Sequence, residues 1–101
     1  MQANVIKDGA KAIIKLSGRF DFNTHREFRS VSDPLMADAG VKVLVVDFGG
    51  VDYLDSSALG MLLMLRDKAG GAGKEIELTG VRGNVKQVLD IANFSKLFKI
   101  S

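Results

Sequence analysis

The run Val41 to Phe48 (VKVLVVDF) constrains the fold more than any other stretch of the chain. Val41, Val43, Leu44, Val45 and Val46 follow one another with almost no polar alternation. A strand with one wet face alternates, whereas a strand covered on both sides or paired in parallel reads as a continuous apolar run. Parallel neighbours cannot be joined by tight turns, so helical crossovers are expected around this strand.

The flanking sequence supplies them. Val5–Lys7 and Ala12–Leu16 read as strands joined by the hairpin signal Asp8-Gly9. Ser17 to Asp21 leaves the second strand and leads to a helix that Asn23 or Thr24 can cap. Glu27 stands three residues after Thr24, the spacing of a capping box. Phe28, Val31 and Leu35 follow at helical intervals. Pro34 is expected to kink or break this helix, because it removes one backbone hydrogen bond. Gly49 to Leu54 reads as a loop, and Asp55-Ser56-Ser57 opens a second helix from Ala58 to about Ala69. The glycines of Gly70–Gly73 stop it. Glu75–Thr79 alternates as a strand. Gly83-Asn84 starts a third helix with Val85, Val88, Leu89 and Ala92 on one stripe. Phe94, Leu97, Phe98 and Ile100 close the chain around a short last strand. The expected fold is therefore α/β: one domain over residues 1–101, order β-β-α-β-α-β-α(-β), with a mixed, mostly parallel sheet of four to five strands and three to four helices.

Composition bounds the function. A chain of 101 residues is one domain, and 47% hydrophobic residues suffice for a core without staples. Without cysteine there is no disulfide framework or thiolate metal site, which fits a cytoplasmic protein. The longest apolar run, Met61–Leu65, falls far short of a membrane span. Net charge is only +2, and Lys96 and Lys99 are the densest basic spot, so no nucleic-acid footprint is evident.

Leu54-Asp55-Ser56-Ser57-Ala58-Leu59-Gly60 is the segment with chemistry. It lies where a strand gives way to a helix, a place that presents free N–H groups and the positive end of the helix dipole. A serine there can carry a phosphate dianion at little local cost, and the modification adds about −1.5 to −2 charges to the surface. The same residues also fit plain N-capping. Placing residues at 100° intervals puts Ala58, Leu59, Leu62, Leu63 and Ala69 of the second helix inward, with Met61, Met64 and Leu65 largely outside that face. Met61 and Met64 are then candidate partner contacts, since methionine adapts to varied surfaces. Asp21 and Asn23 fit turn and cap roles. His25 is read as an exposed helix residue: a Ser-His hydrolase would need an acid behind it and a Gly-x-Ser-x-Gly elbow, and neither is evident. Gly70–Gly73 lacks the lysine and hydroxyl of a phosphate loop.

Three pieces together resemble the STAS domain, the family of sulfate transporters and anti-sigma factor antagonists. They are Val51 to Gly60 (VDYLDSSALG), Leu16 to Asp21 (LSGRFD) and Phe94 to Ile100 (FSKLFKI). The family usually has glycine where this chain has Ala58. In the anti-sigma antagonist branch the first serine after the motif aspartate is phosphorylated, which is Ser56 here. The resemblance implies a non-enzymatic partner switch without cofactor. The unmodified form binds a serine kinase that is also the anti-sigma factor, and a PP2C-type phosphatase reverses the modification. It also implies that the loop holding Asp21 and Asn23 lies beside Ser56, where they could contact the kinase or orient Ser56; Asp55 and Ser57, on either side of Ser56, are expected on the same partner surface. Other STAS proteins serve non-sigma signalling or act as small subunits of transport systems, and nucleotide binding has been proposed for some relatives.

Overall fold

The computed structural model describes residues 1–101. The elements are β1 (Gln2–Asp8), β2 (Lys11–Phe20), α1 (His25–Ala37), β3 (Val43–Leu54), α2 (Ser56–Gly71), β4 (Glu75–Thr79), α3 (Gly83–Ile91) and β5 (Lys99–Ile100), with 3-10 turns at Phe22–Thr24 and Phe94–Lys96. The five strands lie in chain order across one sheet. β1 pairs antiparallel with β2 through the two-residue turn at Gly9-Ala10, and every later pair is parallel. The expected order and the mixed, mostly parallel sheet are thus what the chain forms.

Right-handed crossovers that always step the same way across a sheet place every helix on one face. The core follows that rule. Ala12, Ile14 and Leu16 of β2, Leu44, Val46 and Phe48 of β3 and Leu78 of β4 form one cluster with Phe28 and Leu35 of α1, Met61, Leu62 and Leu65 of α2, and Val85 and Leu89 of α3. Its centre is aromatic: the Phe20 ring lies 5.0 Å from Phe28 and 6.2 Å from Phe48. The alternate residues of the same strands point to a face that no helix covers. There Ile6, Ile13, Val45, Glu77 and Lys99 stand side by side across the five strands.

Three strands are longer than expected: β1 spans Gln2–Asp8 where Val5–Lys7 is expected, and two others run on at their C-terminal ends. β2 continues through Ser17–Phe20, and β3 runs on through Gly49–Leu54, both of which read as exits from the sheet. Glycine signals a loop only where a turn needs it; it also marks close backbone approach. Gly50 does the second. A Cβ there would stand 2.8 Å from the Ser17 Cβ and 3.0 Å from the Leu16 carbonyl oxygen. The register shifts between Lys15 and Ser17 and again between Gly18 and Arg19, so the paired ends are irregular but remain in the sheet. Pro34 does not break α1, which continues to Ala37. Leu35 is buried in the core, so packing holds the turn beyond the proline.

The second helix is phased differently from the reading of its sequence. Ala58, Met61, Leu62, Leu65 and Ala69 are buried, while Leu63 and Met64 face out. The segment is apolar on every side from Ala58 to Leu65, so periodicity alone does not choose the inner face. The contact with α1 chooses it, by forming a cleft from Phe28, Ser32, Met61 and Leu65.

The α1–β3 connection is clamped by two lysines. Lys74, nine-tenths buried, donates to the carbonyls of Asp38 and Val41, each at 2.6 Å. Lys7 of β1 donates to the Asp38 carboxylate at 2.7 Å, and the Gly40 N–H donates to its other oxygen at 2.9 Å. The Lys7 hydrogen bond foremost, then Gly40, holds the Asp38 carboxyl below its ordinary value of 3.8. A depressed carboxyl pKa contributes stability above the unfolded value and loses it as pH falls through the folded one. Asp38→Asn is therefore expected to be less stable than the parent at neutral pH. The difference should shrink below pH 3.8 in urea titrations. A gap that stays constant with pH would show that the charge of Asp38 contributes nothing.

Gly80 follows β4 with φ +68°, and a Cβ there would stand 2.6 Å from Asp47 Oδ1 and 2.7 Å from the Gly49 nitrogen. Gly73 has a similar φ of +70° and open space around it. Gly73→Ala should cost about 1 kcal/mol from backbone strain alone, and Gly80→Ala more than about 2 kcal/mol, since the strand ends must also move apart. Urea unfolding of the two variants separates the strain from the clash.

Candidate functional site

The site is built at the C-terminal ends of β2 and β3, where both strands stop and their helices begin. β3 ends at Leu54, and Asp55 in extended conformation caps α2. One carboxylate oxygen of Asp55 accepts the Ala58 N–H at 2.9 Å. The other accepts the Phe22 N–H at 3.3 Å, while the Asp55 N–H donates to the Phe20 carbonyl at 3.3 Å. Asp55 therefore does two jobs. It satisfies one of the orphan donors of α2, and it ties the turn after β2 to the mouth of α2.

That turn has its own clasp. Asp21 accepts the Asn23 N–H at 3.0 Å, and the Asp21 N–H donates to Thr24 Oγ1 at 3.1 Å. This is a capping box, but it lies one turn earlier than the Thr24–Glu27 pair that the spacing suggests. Thr24 is buried, and its hydroxyl donates to the Asp21 carbonyl at 2.7 Å, so it cannot cap α1 with its side chain.

Ser56 is the first residue of α2, and its side chain is exposed; Ser57 is half-buried. With the Ala58 N–H occupied by Asp55, the other first-turn N–H groups of α2 lack intrahelical acceptors. An anion on Ser56 would meet these donors and the helix dipole. The hydroxyl is not sealed in the core.

The expected residues are brought together unevenly. Asp21 and Asn23 sit in the turn that Asp55 holds beside α2, so Asp21, Asn23, Asp55, Ser56 and Ser57 share one end of the sheet. Met64 is 50% exposed, and lies two turns along α2 from Ser56, about 12 Å at 1.5 Å per residue. Met61 is a correction: it is 7% exposed and packs in the core, so it offers little surface to a partner. His25, expected to be exposed, is half-buried at the start of α1, where it borders the cleft with Phe28 and Met64.

One residue escaped the sequence reading altogether. Phe22 lies between Asp21 and Asn23 and is 73% exposed. A single exposed ring is ordinary on a protein surface, but its place between Asp21 and Asn23 puts it at the same end of the sheet as Ser56. Its neighbours Phe20 and Phe28 are both core, so hydrophobicity alone could not set it apart; only the 3-10 turn that rotates it outward does. Nearby, the Arg19 guanidinium lies 4.1 Å from the centre of the Tyr53 ring and 3.5 Å from the Asp21 carboxylate.

The capping role is measurable. Asp55→Ala should cost about 1 kcal/mol or somewhat more in urea unfolding, as caps do, and should speed amide exchange at both Phe22 and Ala58. Asp55→Asn keeps an acceptor oxygen and should lose less. Unchanged exchange at Phe22 in the alanine variant would show that Asp55 does not hold the turn.

The comparisons agree with this architecture. The family profile described as "Mlab, STAS domain" matches residues 3–99. A STAS-domain containing protein of Pseudomonas aeruginosa is 46% identical over 94 residues, covering 93% of this chain and 91% of that protein. The anti-sigma-B factor antagonist of Staphylococcus aureus is 25% identical over 88 residues, covering 87% and 81%. The phosphorylated form of the Bacillus cell fate determinant SpoIIAA has the same fold, with a TM-score of 0.76 at 14% identity over 99% of this chain and 91% of that one. The chain belongs to the STAS domain family.

Proposed function

We propose that this protein is a phosphorylation-controlled partner switch and not an enzyme, with Ser56 as the modified residue. The observation that carries the reading is the placement of Ser56: exposed, first in α2, directly after the aspartate that caps the helix and anchors the neighbouring turn. The unmodified form binds a serine kinase of the anti-sigma type through the surface made by Asp21, Asn23, Asp55, Ser57 and Met64. A phosphate on Ser56 adds about −1.5 to −2 charges beside two existing carboxylates, Asp21 and Asp55. A partner that tolerates the neutral hydroxyl then meets three clustered negative groups and is repelled. A PP2C-type phosphatase resets the switch, and the process runs in the cytoplasm. Relatives named as anti-sigma antagonists, and a relative with this fold whose structure is of the phosphorylated form, support the reading.

No catalytic step is needed from this chain. The donor of the phosphoryl group and the machinery that moves it belong to the kinase; the domain supplies an accessible hydroxyl and a rigid frame around it.

Membership of the STAS family, whose resemblance also covers small subunits of transport systems, leaves that role as one second reading. The same surface would then dock on a transporter ATPase, and a pull-down with the purified chain that retrieves such an ATPase in place of a kinase would support it.

The test uses the purified chain with ATP and any serine kinase found encoded beside its gene. Mass spectrometry should find one phosphate on Ser56, and none at that position in Ser56→Ala. Ser56→Asp should bind the kinase at least tenfold more weakly than the parent, about 1.4 kcal/mol. Phosphate at another residue, or full binding by Ser56→Asp, would sink the proposal.

A further inference from the structure

We propose that the helix-free face of the sheet is the contact surface for a second copy of this chain, packed about a two-fold axis that runs along β3. The charges on this face form columns. β2 presents Lys11 and Lys15 with Ile13 between them, β4 presents Glu75 and Glu77, and β3 between them presents Val43 and Val45. Lys11, Val43 and Glu75 lie in one row across the three strands. Lys11, Lys15 and Glu75 have no ion-pair partner within the chain, and Glu77 has only a 3.9 Å contact with Lys99. Val45 faces away from the helices and stands outside the core cluster, but at 7% exposed it offers little surface of its own, so the half-buried Val43 carries the apolar strip.

A partner for this surface must offer an acidic column opposite β2 and a basic column opposite β4, with an apolar strip between. The two columns are two strand spacings apart, about 10 Å. The chain itself satisfies both demands at once. Rotation by a half-turn about β3 carries β2 of one copy over β4 of the other, as an isologous interface requires. Lys11 of each copy then faces Glu75 of the other in the same row, Ile13 lies over Glu77, which Lys15 reaches from one row away, and Val43 meets its own copy on the axis. Aligned sheets pack about 10 Å apart, a gap that a lysine and a glutamate span end to end. Asp47, also on β3, meets its copy near the axis. Its carboxylate already accepts the Gly49 N–H at 2.8 Å, and it is paired in register with Lys15, so a lysine flanks each of the two acids.

The face is about four strands wide and five residues long, roughly 19 by 17 Å, which buries on the order of 650 Å² in total. That is below the size of standard interfaces, so the dimer is a weak, reversible one that forms only at high concentration. The helices lie on the opposite face, so Ser56 stays accessible on both copies, and the dimer presents two switch surfaces.

Sedimentation velocity of the full chain from about 5 to about 500 µM should show a reversible monomer–dimer equilibrium in this range. Lys11→Glu and Glu75→Lys should each weaken it at least tenfold; both side chains are exposed, and circular dichroism checks that the fold is kept. An equimolar mixture of the two variants should dimerise again, because each introduced charge then meets an opposite one across the axis. A parent that stays monomeric throughout overturns the proposal. So do variants that dimerise as the parent does, or a mixture that fails to recover, either of which would place the contact elsewhere, for instance at the β1 edge.

Discussion

The carboxylate of Asp55 is the single contact on which the arrangement of the site depends. It bridges two N–H donors that are 36 residues apart in sequence, one in the turn after β2 and one in the first turn of α2. The two strands that precede these elements pair in parallel and end side by side, Phe20 opposite Leu54. Parallel pairing brings the two helix starts to the same edge of the sheet, and the aspartate fastens them there. An alanine at this position would leave two donors without their acceptor, and a glutamate would carry its charge one methylene further out. The short side chain of aspartate suits an N-cap because it can fold back to the third N–H of the helix.

This economy means that an anion on Ser56, as the proposed function requires, would meet free donors and leave the cap in place. The helix mouth offers several N–H donors, and Asp55 uses only one of them. What a new charge changes is the surface, where an exposed aromatic ring at Phe22 and a flexible side chain at Met64 lie among carboxylates. Under the proposed function, such apolar anchors would supply affinity and the surrounding charges would decide when it can be used.

Much of the architecture was legible in the residues. The apolar run of β3, the Asp8-Gly9 hairpin and the alternation of strand and helix signals led to the correct order and sheet type. Asp55 and Ser56 could be placed at a helix start because capping chemistry is local. The errors have a common physical origin, in positions where tertiary contact decides. Gly49 and Gly50 look like a loop until a neighbouring strand is seen pressed against Gly50. Met61 and Leu63 exchange inside for outside because α2 is apolar all round, and only the position of α1 distinguishes them. Asp21 replaces Thr24 as a cap because Thr24 is drawn into the interior. Phe22 gave no signal at all, since its outward turn comes from the 3-10 geometry that the Asp21 clasp imposes.

The strand order has a consequence for how the chain reaches this state. Each strand lies next to the one made just before it, from β1 to β5. No connection has to cross the sheet, and each parallel closure spans only one helix with its loops. Sheets that insert late strands between early ones must hold a gap open; this one grows at a single edge. The β1–β2 hairpin can form as soon as it is synthesised, and every further strand–helix unit finds its template already in place. The terminal two-residue β5 is then the last piece to settle, and it closes the growing edge with the shortest strand of the domain.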